Sequence, residues 1–250
     1  MTSKLRAALC AAMLALTCAF ACGPAAAQEK SAVKEGFTLP TNGNVRILLF
    51  RPQIKVGAQS TAGLFEPNAD WTEQAKGNIG TALNAAQSNL GNRIVLSDEP
   101  IGAAAERLAE YRALFSTVAE AVITYKFFPG NRLPTKKRQG VFDYTLGPGV
   151  KDVPGAAGAD YILFINTEDQ YGSTGRKIFQ LMAAMGGVGV GSGVHKGFAG
   201  LVDARTGELV WLNADFQMGG DVRTSDGAEK RVGELLKGFP GAAPAAIAAR

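Results

Sequence analysis

Phe198 to Phe216 reads FAGLVDARTGELVWLNADF. Its two arms, Phe198 to Ala204 and Glu208 to Phe216, are rich in β-branched, large apolar and aromatic residues. Between them lies Asp203-Ala204-Arg205-Thr206-Gly207. Asp bonds its own backbone two residues on, and Gly supplies the left-handed residue of a short hairpin loop. The stretch therefore predicts an antiparallel hairpin. Leu201 and Val202, then Leu209, Val210, Trp211 and Leu212, place apolar groups on both faces of each strand. Such strands belong inside a sheet covered on both sides.

Working outward, Tyr161 to Asn166 (YILFIN) is an uninterrupted apolar run and predicts a central strand, continued by polar residues from Thr167 to Arg176. Val45 to Phe50 and Arg93 to Leu96 predict two further strands, with Pro52 near the end of the first. Gln53 to Pro67 reads as a long loop or edge hairpin, and Val141 to Leu146 as a small strand. Trp71, Ala75, Ile79, Leu83, Ala86 and Leu90 recur at helical spacing and predict a helix over 70–90, with Asp70 and Glu73 as a capping box. Gly77 and Gly80 weaken it by about 1 kcal/mol each, or admit a close neighbour. Leu108, Tyr111, Phe115, Val118, Val122 and Tyr125 line a second helix over 103–127, as core or as a partner-helix seam. Val232, Leu235 and Leu236 line a third, within 225–239. The expected fold is a single α/β domain over 44–240, a mixed sheet with covering helices, βαβ crossovers and a C-terminal hairpin followed by a helix. Residues 28–43 read as a linker and 241–250 as a frayed tail.

The first 27 residues have the composition of an export signal. Lys4 and Arg6 precede the uncharged apolar run Ala7 to Ala21, and Ala25-Ala26-Ala27 offers small residues for cleavage before Gln28. The run is short for a membrane span, which needs roughly 20 residues. Cys10, Cys18 and Cys22 all lie here, so the mature chain would hold no disulfide, thiolate nucleophile or Cys metal site. Ala21-Cys22-Gly23 also has the outline of a lipidation site at Cys22, with Ala19 where Leu is usual. The expected location is the periplasm, or the outer membrane as a lipoprotein if Cys22 is acylated; a membrane is a partner only in that second case. Without Lys4 and Arg6 the chain carries 24 basic and 22 acidic residues, a charge of +2. That balance gives no footprint for nucleic acid, and the basic cluster Arg132, Lys136, Lys137 and Arg138 is too small to make one.

Gly158-Ala159-Asp160-Tyr161-Ile162-Leu163 and Leu201-Val202-Asp203-Ala204-Arg205-Thr206-Gly207-Glu208-Leu209-Val210-Trp211 are the elements that resemble a known family. It comprises bacterial envelope domains: the periplasmic part of the curli-secretion lipoprotein, the lipoprotein activators of penicillin-binding proteins, and the amino-terminal domain of TolB. There a "GADY" element enters a central strand and a "D-x-x-T-G-x-x-V-W" element forms the hairpin beside it. The resemblance covers roughly residues 44 to 240. It implies a shared scaffold and carries no catalytic residues.

The residues themselves show little chemistry. His195 is the only histidine, and no G-x-S-x-G elbow surrounds any Ser. One His cannot supply a zinc site. Gly186 to Gly193 (GGVGVGSG) fits neither the Walker nor the dinucleotide pattern, so no cofactor is expected. Glu168, Asp169 and Asp215 are conceivable as a glycosidase pair, a reaction set by the distance between carboxyl groups. The leading expectation is thus a non-enzymatic envelope protein that binds a protein partner or itself in assembly or maintenance of the cell surface. The alternative is a periplasmic enzyme acting on cell-wall glycans.

Ile178 to Val194 (IFQLMAAMGGVGVGSGV) is the remaining puzzle. It runs 17 residues without a charge between Arg176-Lys177 and His195-Lys196. One expectation is a buried helix that frays into a Gly-rich loop. The other is a contact surface built on Met182, Gly186, Gly187, Val188 and Gly189, whose small residues admit close backbone approach. Processing is directly testable: intact-mass analysis of the exported protein is expected to give a chain starting at Gln28, released by osmotic shock. A mass fitting diacylglyceryl-Cys22 with membrane retention would overturn this.

Overall fold

A computed structural model describes residues 29–40, 45–87, 90, 93–128, 131, 141–191 and 193–241. The export segment with Cys22, the basic residues 132–138 and the tail beyond Gly241 lie outside the described residues. The fold is α/β, with one open mixed sheet and helices on both faces.

The sheet runs β1-β8-β7-β6-β2-β5. Its centre is the long strand β6 (Tyr161–Gly172). On one side β6 pairs antiparallel with β7 (Val194–Asp203), which pairs with β8 (Leu209–Asp215). On the other side it pairs parallel with β2 (Arg46–Leu49), whose outer neighbour is the parallel strand β5 (Arg93–Leu96). Beyond the end of β2, β3 (Gln53–Gln59) takes over alongside β6, and β4 (Phe65–Pro67) folds back on β3.

Alternation along β6 sorts the core into two layers. Leu163 and Ile165 face α1 (Ala69–Ala86) and α4 (Ser225–Leu235), together with Ile47, Leu49, Ile79 and Trp211. Ile162 and Phe164 face α2 (Ala103–Val122), where Phe115 stacks on Phe164 at 4.8 Å. The stripe on α2 is therefore core; Leu108, Tyr111, Phe115 and Val122 are buried. α2 ends in a π-helical turn, Ile123–Phe127, that leaves Tyr125 exposed.

The GADY and D-x-x-T-G-x-x-V-W elements have definite structural work. Asp160 Oδ2 accepts from Arg46 N (2.8 Å) and Asp160 O from Ala204 N, which staples the starts of β2 and β6 to the β7–β8 turn. In that turn Asp203 Oδ1 accepts from Arg205 N and Thr206 N. Gly207 has φ +76°, and a Cβ there would strike the Gly147 backbone.

Four local expectations change. The linker expected over 28–43 is structured where it is described, at 29–40: β1 (Glu29–Val33) pairs antiparallel with β8, and Leu39 is buried. Every residue of β8 is buried, and β1 covers its otherwise open edge. The N-cap of α1 is Asn68, whose Oδ1 accepts from Trp71 N, rather than Asp70. Gln53 to Pro67 holds β3, paired with β6 over its whole length, so it is more than an edge hairpin. Val141 to Leu146 forms only an isolated bridge, Thr145 to Glu208, over the hairpin turn.

Trp211 is 0% exposed and packs edge-on against Phe239 at 5.2 Å; its indole Nε1 has no partner among the described residues. Trp211→Ala is expected to cost about 3–5 kcal/mol in denaturant unfolding. Trp211→Phe should cost less, because the N–H it removes is unbonded. A silent alanine variant would contradict this packing.

Candidate interaction surface

β6 and β7 stay paired as far as Gln170 and Val194. Past Ile165 the face of β6 that looks toward α1 and α4 changes character. Positions 167, 169 and 171 continue the alternation as Thr, Asp and Tyr. Here the sheet is held by charge. Asp169 and Arg231, on α4, are both 0% exposed. Arg231 Nη1 donates to Asp169 Oδ2 (2.6 Å) and to Thr167 Oγ1 (2.7 Å), and Nη2 donates to Asp169 Oδ1 (2.7 Å). His195, cross-strand from Asp169, brings Nδ1 to 2.7 Å from Asp169 Oδ1. The one histidine is thus committed to a structural cluster, and no hydroxyl bonds its Nε2 among the described residues.

A second knot adjoins the first. Tyr171 packs on His195, and Trp71 meets it edge-on. The Arg223 guanidinium lies 3.7 Å from the Tyr171 ring centroid and 4.5 Å from that of Trp71, a cation–π sandwich. Asp221 clamps the same guanidinium through both oxygens, which holds its carboxyl well below the usual carboxylate range. Burial, then the Asp169 charge, push the Tyr171 phenol up.

From this braced end the chain leaves as α3 (Thr174–Met185). Ser173 caps it, Oγ accepting from Arg176 N. The inward positions are polar or small: Arg176 donates to Thr61 O and Gly191 O, Gln180 donates to Val190 O, and Ala183 follows at the same spacing. The helix stops in a Schellman motif: Val188 N bonds Ala183 O, and Gly187 N, at φ +77°, bonds Ala184 O. α3 buries no side chain. Ile178, Phe179, Leu181, Met182 and Met185 all face outward; Met182 is 67% and Val188 58% exposed. The expectation of a buried helix is overturned, because the polar side of the helix turns inward to hold the loop. Gly186 and Gly189 are exposed beside Val188, while Gly187 serves the helix stop.

Other candidates disperse. Glu168 and Asp169 are adjacent in a strand and point to opposite faces. Glu168 bonds Gln170 Nε2 (2.7 Å) and lies 3.4 Å from Lys196 Nζ. It lines a cavity of about 370 Å³ on the α2 side that Glu120 also lines. Asp215 accepts from Gln217 N. Among the described residues no group of three His, Cys, Asp or Glu side chains is placed to hold a metal ion, and no helix is long and apolar enough to cross a membrane.

Sequence reasoning overlooked Arg231. The signal was present: it falls four residues before Leu235, on the apolar face of α4. A charge in that position requires a buried partner. Arg231→Ala is expected to cost about 3–5 kcal/mol, since it strands a buried carboxylate. The double change Asp169→Leu with Arg231→Met should recover most of that loss in thermal melts. Equal loss in both variants would show that the pair is not the source.

No family model matches the chain, and no curated protein matches it. Among solved structures the chain is similar to the PelC dodecamer from Paraburkholderia phytofirmans, at 13% identity over 86% of this chain and 98% of that one, with a TM-score of 0.36. It is also similar to a single-substitution variant of that dodecamer, at 12% identity over 85% and 99%, again with a TM-score of 0.36.

Proposed function

We propose that this chain is an exported, non-enzymatic protein of the bacterial cell envelope that acts by protein contact in assembly or maintenance of the cell surface. The outer face of α3 carries the reading. It is a continuous apolar helix face, displayed at the end of the sheet by a rigid brace. Exposed apolar patches of this kind mark interaction sites. The export-type N-terminus and the GADY and hairpin elements support the location.

The occupant is a second copy of the chain, packed antiparallel. Large side chains (Ile178, Leu181, Met182) and small ones (Ala184, Gly186, Gly189) share the surface, which gives it both ridges and gaps. Its flanking charge, Lys177, sits at one end only, with the inward Arg176 beside it. Antiparallel pairing sets those ends apart by the helix length, about 18 Å. That is more than twice the screening length of about 8 Å at physiological salt. Parallel pairing would bring like charges together. Glycan hydrolysis, the alternative, requires one carboxyl kept protonated in apolar surroundings. Glu168 sits among Lys196 and Gln170 instead.

Analytical ultracentrifugation of the exported protein is expected to show a concentration-dependent dimer. Met182→Glu with Val188→Glu should return it to monomer with its thermal melt unchanged. Wild-type protein that stays monomeric at all concentrations, or variants that unfold, would overturn the proposal. Monomeric wild type that co-sediments with anionic vesicles would assign the face to a membrane.

A further inference from the structure

A cleft of about 680 Å³ lies at the carboxyl ends of β2 and β5, between α1 and α2, on a different part of the molecule from the outer face of α3. The topology makes it. From β2 the chain returns through α1 to β5 on one side of β2, then through α2 to β6 on the other. Crevices at such switch points are where open α/β sheets take their ligands.

A break in the strand line opens this one. Leu49 pairs with Leu163, but Gln53 pairs with Asn166, so four steps on one strand face three on the other. The extra residue falls at Phe50-Arg51-Pro52, and Pro52 has no N–H to continue the ladder. β5 stops at Leu96, and β4 first meets β3 at Gly57. The outer edge of β3 between them has no strand neighbour. On that edge the N–H and C=O of Val56 are taken by Thr72 Oγ1 and Asn68 N. Ile54, two residues back along the same edge and lining the cleft, points its N–H and C=O the same way by the alternation of a parallel strand, with no strand beside them.

Charge and shape complete the site. Glu99 is held by both terminal nitrogens of Arg112, and Glu73 by Lys76 at 2.6 Å. Both carboxylates are thereby committed. Arg51 reaches Glu99 only at 4.0 Å, and Lys55, which lies cross-strand from Glu168 and also borders the cavity on the α2 side, makes no ion pair among the described residues, so the rim carries two cations able to take an anion. Leu49, Leu83 and Leu96 give an apolar floor. Gly80 of α1 lines the cleft with nothing within 4 Å of where a Cβ would lie. A glycine inside a helix costs about 1 kcal/mol, and here no contact among the described residues requires it.

We propose that this cleft binds the carboxyl terminus of a short peptide. Arg51 and Lys55 take the terminal carboxylate, the Ile54 backbone pairs with the last amide groups as one added strand residue, and an apolar terminal side chain lies over the leucines. The site is independent of the α3 contact.

Calorimetric titration tests it with acetylated dipeptides ending in Ala, Leu or Phe as free acids, their C-terminal amides, and octanoate. A free acid is expected to bind, its amide about tenfold more weakly, and octanoate not detectably. Arg51→Gln should weaken the acid about tenfold and leave the amide unchanged. Gly80→Leu should abolish binding of both while the melting temperature holds or rises, because leucine favours the helix and fills the cleft. The Met182→Glu variant should bind as wild type does. The proposal is overturned if no free acid binds, if acid and amide bind equally, if octanoate binds as well as the peptide, or if Gly80→Leu binds normally.

Discussion

The far half of β6 depends on one buried ion pair, Asp169 with Arg231. An apolar strand end would be held by area alone and would tolerate small slips. A bidentate guanidinium–carboxylate contact does not, because its geometry is fixed at both oxygens. With both groups out of water, the pair adds little net stability over an apolar filling. Its effect is on position. It sets where α4 lies on the sheet, fixes His195 across from Asp169, and with Thr167 closes the polar layer that replaces the core beyond Ile165. The hairpin end can then carry α3, whose own side chains add the polar bonds of Arg176 and Gln180 but no buried apolar contact.

That order explains which parts of the fold were legible in the sequence. The hairpin, the central strand and the helices all announced themselves through apolar periodicity, and their faces follow from alternation. β1 carried no such signal. An edge strand is held by backbone bonds to one neighbour, and EKSAV shows no apolar stripe. The cap of α1 was misplaced by two residues because Asp70 and Glu73 imitate a capping box just inside a helix that Asn68 already starts.

The proposed contact surfaces were harder to read. Ile178 to Val194 has the composition of a core helix, and composition cannot say which side faces in. The answer lay in Arg176 and Gln180, polar residues at helical spacing with loop carbonyls in reach. A helix whose polar side is spoken for within its own chain turns its apolar side outward. The cleft was still less visible, since it depends on a one-residue mismatch between β2–β3 and β6. Only the registers reveal that. Gly77 and Gly80 were the available hint, and Gly80 proves to line the cleft.

Both features trace back to how β6 is used along its length. Its first half is apolar on both faces and lies in the core. Its second half has outrun β2, so β3 must replace β2 beside it, and the changeover creates the bulge and the cleft. It has also outrun the apolar core, so charge must replace packing, and the charged brace allows α3 to project. A shorter β6 ending at Asn166 would lack a partner edge for β3 and a platform for α3. The two surfaces proposed to make contacts are therefore consequences of a single long strand whose sequence turns polar halfway, and disturbing the brace should affect α3 before it affects the cleft.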